Sequence, residues 1–93
     1  MSQDSILREL KRGPDANYLG RITVLEDGTF LPGQEVCWKN GLSEEHLPLQ
    51  SVGEGPFKVL LVVRSANWGE QIIVRGANEY PVPVHPSFLQ VKV

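Results

Sequence analysis

Cys37, His46 and His85 are the residues of this sequence best suited to act as a nucleophile and its base. A cysteine nucleophile needs a neighbouring base and a third group that orients the base. The sequence offers no clear third group, and an isolated cysteine on a strand is more often an inert small side chain. One cysteine and two scattered histidines also lack the paired spacing of zinc sites. We therefore expect no enzyme, no catalytic residue, no metal site and no cofactor.

Neighbouring carboxylates occur at Glu26 with Asp27 and at Glu44 with Glu45. Both pairs fall in predicted turns, where exposure to water explains their charge without acid–base catalysis. The glycines are spread along the chain as turn residues and form no phosphate-binding loop. No small-molecule substrate is indicated.

Size and composition indicate one small globular domain. The chain has 93 residues, a mass of 10.4 kDa and a net charge of −2. No apolar run approaches the roughly 18 residues of a membrane helix, and the first residues lack the continuous apolar stretch of a signal peptide. The single cysteine excludes an internal disulfide, as is usual in a reducing compartment. We expect a cytoplasmic protein with no membrane partner.

The order of predicted elements is a short helix followed by a β-rich domain. The first unit, residues 1–13, contains a helix over residues 4–12, with Ile6, Leu7 and Leu10 on one face. Gly13 and Pro14 end it. The second unit, residues 18–93, is predicted to be a small β-barrel with a long loop at residues 40–55, and this loop has room for a helical turn at residues 43–46.

A hairpin at residues 55–76 is the centre of the predicted barrel. Alternation places four residues of its first strand on the core face: Phe57, Val59, Leu61 and Val63. Leu60 and Val62 make the opposite face apolar too, so this strand must be covered on both sides. On the second strand, Ile72 and Val74 face the core and Ile73 faces away. We hypothesise that Ile6, Leu7 and Leu10 of the helix pack on Leu60, Val62 and Ile73.

Shorter strands complete the pattern. Residues 18–25 alternate as a half-buried strand, and in residues 34–39 Val36 and Trp38 share the inner face while Cys37 points outward. Prolines confine a strand at residues 80–84 to an edge of the sheet. His85 to Phe88 is predicted to form a 3₁₀ turn before a last strand at residues 89–93.

Three short motifs resemble small barrels of the Src-homology-3 type. Residues 31–36 (LPGQEV) are similar to the P-G-x-x-V that leads into the first barrel strand, and residues 55–59 (GPFKV) to the G-P-F/Y-x-V that opens the second. Residues 84–89 (VHPSFL) resemble the last turn of such barrels. The trio is shared with the C-terminal barrel domains of retroviral and retrotransposon integrases, which contact DNA and other subunits. The resemblance covers roughly residues 30–93 and implies a mainly β, Src-homology-3-like barrel of five to six antiparallel strands with a short N-terminal α-helix.

Aromatic and proline side chains give the first binding hypothesis. An exposed surface of this kind holds extended peptides in other small domains. The candidate protein-binding residues are Trp68, Tyr80, Pro83, Pro86 and Phe88. The competing interpretation is that these rings pack in the core or at its rim, as large aromatics usually do. The expected partner is another protein or a second copy of this chain.

Basic residues on the outward faces of the hairpin and the last strand give the alternative, a nucleic-acid-binding barrel. Its candidate residues are Lys58, Arg64, Arg75 and Lys92. They equally fit ordinary solvated positions on strands. The negative net charge supplies no overall field that would attract nucleic acid, so this alternative requires a local basic patch.

Overall fold

Turn residues and hydrophobic spacing divide the chain into short helices and strands. The computed structural model describes residues 3–13, 16–42, 52–76 and 79–92. The helices in these ranges are α1 (Gln3–Arg12), α2 (Ala16–Leu19) and a 3₁₀ helix (Pro86–Phe88). The strands are β1 (Ile22–Val24), β2 (Glu35–Trp38), β3 (Phe57–Ser65), β4 (Gly69–Arg75), β5 (Pro81–Val84) and β6 (Leu89–Val91). None of the described helices is long and apolar enough to span a membrane.

Helix α1 forms where the sequence predicts it. Asp4 lies in the first turn and Lys11 and Arg12 lie in the last, so each charge suits the helix dipole at its own end. The amide of Gly13 donates to the carbonyl of Glu9 at 3.1 Å and satisfies one of the free carbonyls at the helix end. Ile6 and Leu10 are buried, which gives the helix one face that packs on the sheet.

The six described strands form an antiparallel sheet in the order β5-β4-β3-β2-β6, with β1 also paired to β3. Strand β3 is the centre. One edge of β3 pairs with β4 along its length. The other edge of β3 pairs with β2 near Phe57 and with β1 near Ser65. The predicted mainly β fold of antiparallel strands with a short N-terminal helix is confirmed. The P-G-x-x-V motif leads into β2, and the G-P-F motif leads into β3.

The inner face of this sheet encloses the larger core. Val84 of β5 and Leu89 of β6 both belong to it, although these strands stand at opposite ends of the strand order. The sheet therefore curves around the core, and its two outer strands are connected through the 3₁₀ helix. Among the described residues no backbone ladder joins β5 to β6, so the sheet is open between them. Trp38 and Phe57 meet edge to face in this core, with ring centroids 5.3 Å apart.

A β-bulge at Leu60 changes which face of β3 each residue occupies. Val59 pairs with Val74 and Leu61 pairs with Ile73, so Leu60 is an extra residue with no partner on β4. Beyond the bulge the alternation is shifted by one position. The predicted core positions of Leu61 and Val63 are therefore wrong, as is the predicted outward position of Val62, which is fully buried in the inner core.

A second core lies between the outer face of the sheet and the N-terminal segment. Its buried residues are Ile6, Leu10, Leu19, Leu61, Val63 and Ile73, with Leu7, Ile22, Val24 and Leu60 packed around them. The helix therefore contacts Ile73 and Leu60 as hypothesised, but Leu61 and Val63 take the place expected for Val62. On β4, Ile72 and Val74 face the inner core and Ile73 the outer one, as predicted, because no bulge interrupts that strand.

The remaining predictions are confirmed in part. The strand expected over residues 18–25 is shorter, because Tyr18 and Leu19 belong to α2 and Gly20 turns the chain with a φ of 67°. The edge strand, the 3₁₀ turn and a last strand are present. Cys37 is half-buried, and its neighbours on β2, Val36 and Trp38, belong to or pack against the inner core. In the predicted loop at residues 40–55, positions 43–51 lie outside the described residues, and so does the helical turn expected there.

Candidate functional site

An aromatic groove lies on the outer side of the sheet, where α2 meets the turn between β3 and β4. The described residues that line it are Tyr18, Leu19, Trp68, Gln71 and Pro83. We call this set the aromatic groove. Its volume is about 320 Å³, which is within the usual range of ligand pockets. The sequence places these residues in three separate segments, and the sheet brings them together.

The floor and the walls of the aromatic groove differ in exposure. Leu19 and Gln71 form the floor and are each only 3% exposed. Tyr18 and Trp68 form the walls, with exposed fractions of 64% and 59%. Pro83 is half-buried and reaches the groove because it pairs with Ile73 on the edge of the sheet. Two large, mostly exposed rings therefore lie beside a buried floor of one apolar and one polar residue.

Ser65 holds the two sides of the aromatic groove together. Its buried hydroxyl donates to the carbonyl of Leu19 and accepts from the amides of Asn67 (3.3 Å) and Trp68 (3.1 Å). One hydroxyl thus satisfies backbone groups of both α2 and the β3–β4 turn. These hydrogen bonds hold the backbone at Trp68 in place relative to α2.

Two further hydrogen bonds connect the same segments. The side-chain amide of Asn67 donates to the carbonyl of Tyr18 at 3.0 Å, and the amide of Ala66 donates to the carbonyl of Arg21 at 2.9 Å. The backbone on both sides of the groove is therefore held in place before any ligand binds.

Gln71 supplies a polar group at the floor. Its side-chain nitrogen donates to the carbonyl of Trp68 at 3.3 Å. The hydrogen bonds that the structure gives for Gln71 leave its side-chain oxygen without a donor. An occupant with an N–H or O–H group would find an acceptor at this point. The groove's lining residues within the described ranges carry no charge, which suits an uncharged segment.

The five residues predicted to bind protein are distributed over three places. Trp68 and Pro83 lie together in the aromatic groove. Tyr80, 65% exposed, lies in a different pocket near the end of α1. Pro86 and Phe88 belong to the 3₁₀ helix, where Phe88 packs against the inner core and meets His85 edge to face.

The four basic residues predicted as the alternative site are also separated. Lys58 and Lys92 lie on either side of Glu35, which is the strand partner of Lys58 and forms an ion pair with Lys92 at 3.4 Å. Arg64 lies about 20 Å along β3 from Lys58 and pairs across the sheet with Glu70. Arg75 donates to the carbonyl of Glu79. Acidic neighbours therefore lie between or beside the basic side chains and break up the positive charge along these strands.

Sequence reasoning missed Tyr18, Leu19 and Gln71. The alternation of residues 18–25 predicts a strand that includes Tyr18 and Leu19, although a proline and an acidic residue at 14 and 15 followed by Gly20 is a pattern typical of a short helical turn. The alternation along the second hairpin strand places Gln71 on the same face as Ile73, away from the inner core. No local signal shows that a buried glutamine would lie below Trp68.

Comparison of the chain with family models, curated proteins and solved structures found no match. The resemblance to Src-homology-3 and integrase barrels therefore rests on the three short sequence motifs alone.

Proposed function

We propose that this chain is a non-enzymatic interaction module that binds an extended, uncharged segment of another protein in the aromatic groove. The observation that carries the proposal is the joint presence of Trp68, Tyr18 and Pro83 around a buried floor. Exposed tryptophan and tyrosine supply large contact area with little loss of side-chain entropy, and they are enriched at binding hot spots. A cytoplasmic location is part of the proposal because one cysteine suits a reducing compartment.

The shape and chemistry of the groove favour a proline-rich or aliphatic segment. Proline-rich peptides dock between aromatic rings because their extended conformation is already formed before binding. The free acceptor on Gln71 suits a backbone N–H of such a segment. The described lining residues offer an occupant aromatic, apolar and amide groups, which favours an uncharged segment over a phosphate.

A titration followed by nuclear magnetic resonance tests the proposal. The probes are acetylated and amidated hexapeptides rich in proline, leucine or valine, added to the isotope-labelled chain. We expect saturable shifts of the Trp68 indole and the Gln71 side-chain amide, while the half-buried indole of Trp38 serves as an internal reference. Shifts that depend on protein concentration without peptide would identify a second copy of the chain as the occupant.

Two variants test whether the peptide binds at Trp68. Trp68→Ala should weaken peptide binding by on the order of tenfold or more, as truncation of an aromatic hot spot does. Leu31→Ala is the matched control, because Leu31 is 54% exposed and lies outside the aromatic groove. Equal affinity of the Trp68→Ala variant and the unaltered chain would refute the proposal, as would shifts confined to other surfaces or no shift with any probe.

An electrophoretic mobility experiment addresses the nucleic-acid alternative. Contacts to phosphates must weaken steeply with salt. Retarded migration of DNA or RNA at low salt that is lost at high salt, in a chain that binds none of the peptides, would replace the peptide proposal with the alternative. No retardation at low salt would discard that alternative.

A further inference from the structure

Gln71 is an unusual residue for the place that it occupies on the sheet. It lies on the outer face of β4, directly opposite the fully buried Val63 of β3 and next to Ile73 along that face. Both neighbours belong to the outer core, and Gln71 itself is only 3% exposed. Removing an amide from water is costly unless its polar atoms find partners, so a glutamine at this position requires an explanation.

The chain satisfies one half of this amide. The side-chain nitrogen of Gln71 donates to the carbonyl of Trp68 at 3.3 Å. This contact fixes the direction of the amide, because a half-turn would set its oxygen against the carbonyl oxygen. The Oε1 atom of Gln71 accepts no hydrogen bond from the chain. It is nonetheless not sealed from solvent, since the sealed and unpartnered side-chain atom found in the described ranges is Oε2 of Glu9.

The accessible oxygen belongs to the floor of the aromatic groove. Gln71 forms this floor with Leu19, below the exposed rings of Tyr18 and Trp68. An amide oxygen accepts hydrogen bonds and donates none. An occupant that covers the floor therefore meets an acceptor, and the two kinds of occupant, with and without a donor at this point, are distinguished by it.

The backbone of a peptide either supplies that donor or lacks it. Every residue of an extended segment carries one backbone N–H except proline, which has none. A segment made of prolines alone would cover Oε1 of Gln71 and leave it unpaired. A site with a hydrogen-bonding group strongly rejects ligands that leave the group without its partner.

We propose that Gln71 is the specificity-determining residue of the aromatic groove, where its Oε1 accepts the backbone N–H of one non-proline residue of the bound segment. The inference rests on the proposed peptide-binding function and narrows the ligand class. The ligand is an extended segment in which prolines or aliphatic residues contact Tyr18 and Trp68 on either side of one residue with a free N–H.

A set of hexapeptide probes tests whether the N–H is required. Each probe has an acetyl group at its start, a dimethylamide at its end, five prolines and one leucine whose position is varied. Hexaproline with the same ends has no N–H. Each leucine probe has an ester partner containing leucic acid, which replaces the N–H by an oxygen and keeps the side chain.

The affinities are measured by titration of the isotope-labelled chain. We expect the tightest leucine probe to bind on the order of tenfold more tightly than its ester partner, because the ester leaves Oε1 of Gln71 unpaired. Hexaproline should bind as weakly as the esters. Equal affinity of every leucine probe and its ester partner would overturn the proposal, whether or not any variant folds.

Substitution of Gln71 separates selection of the ligand from support of the Trp68 turn. Gln71→Met keeps the approximate size of the side chain and removes the acceptor, so the ratio of leucine to ester affinity should fall from on the order of tenfold to less than about threefold. Effects of the ester on the peptide itself cancel in this comparison. If Gln71 only supports the turn, both probes weaken by the same factor and the ratio is unchanged, which would overturn the proposal.

Ser65→Ala is the matched control, because it loosens the same turn without touching the acceptor. It should weaken both probes and keep their ratio. A ratio that falls as far in Ser65→Ala as in Gln71→Met would assign the preference to the turn and overturn the proposal.

Failure of this inference is distinguishable from failure of the proposed function. If leucine-rich or valine-rich hexapeptides bind in the groove and the esters bind as well as the leucine probes, only the role of Gln71 is refuted. The same holds if those peptides bind and none of the proline probes does. If no hexapeptide of either set binds, both proposals fail.

Discussion

Leu10→Ala, at the contact between α1 and the sheet, gives the most specific stability prediction. Leu10 is 2% exposed and lies in the outer core with Leu61, Val63 and Ile73. The outer face of β3 and β4 is apolar, so its burial depends on this helix. Truncating Leu10 removes buried methyl groups and leaves a cavity between the helix and the sheet.

The expected cost follows from similar truncations. Leucine-to-alanine changes in cores cost about 2–5 kcal/mol, and the value falls when neighbouring elements can close the cavity. Because α1 is a short peripheral helix able to shift toward the sheet, we expect about 2–3 kcal/mol. A chain of this size has a total stability of roughly 5–14 kcal/mol, so the variant should still fold. Its melting temperature should fall by roughly 10–20 °C.

Urea and thermal unfolding, followed by circular dichroism, measure this effect. Leu7→Ala, a half-buried position on the same helix, should cost clearly less than Leu10→Ala. Leu31→Ala, at a 54% exposed position, should change the stability by about 0.5 kcal/mol or less. If Leu10→Ala is no more destabilising than Leu31→Ala, the helix does not cover the outer face in solution and the reasoning is refuted.

Three further predictions concern the bulge, the groove and the surface. Val62→Thr should lower the free energy of unfolding by about 1–3 kcal/mol, because it buries a hydroxyl without a partner. Leu60→Thr, at the half-buried bulge, should lower it less. The reverse order in urea unfolding would contradict the bulge assignment. Ser65→Ala should cost about 1–3 kcal/mol and alter the indole resonance of Trp68, and an unchanged resonance would show that Ser65 does not position it. Lys92→Ala should change stability by less than about 1 kcal/mol, because it and Glu35 are half-exposed, and a larger loss in the same assay would contradict this.

The fold class could be predicted because the relevant signals are local. The alternation of Ile72, Ile73 and Val74 depends only on the two-residue period of a strand. The prolines at positions 81 and 83 indicate an edge strand because proline has no N–H to donate to a neighbouring strand. The helix over residues 4–12 follows from its charges, its apolar spacing and Gly13.

The faces of β3 could not be predicted in full because they depend on a register. Leu60 is of the same residue type as its neighbour Leu61, and only pairing with β4 shows which one is the extra residue. A bulge reverses every later assignment on its strand, so Leu61, Val62 and Val63 exchanged faces together.

The sequence alone determined that the chain is a small β-rich domain with a helix, with apolar residues on both faces of its central strand. Only the tertiary structure decided which distant residues meet. Tyr18, Trp68 and Pro83 are far apart in the chain and meet because α2, the β3–β4 turn and β5 converge on one side of the sheet. Glu9 resembles any exposed helical carboxylate until packing buries one of its oxygens. Burial and convergence are properties of contacts distant in sequence, which local patterns do not encode.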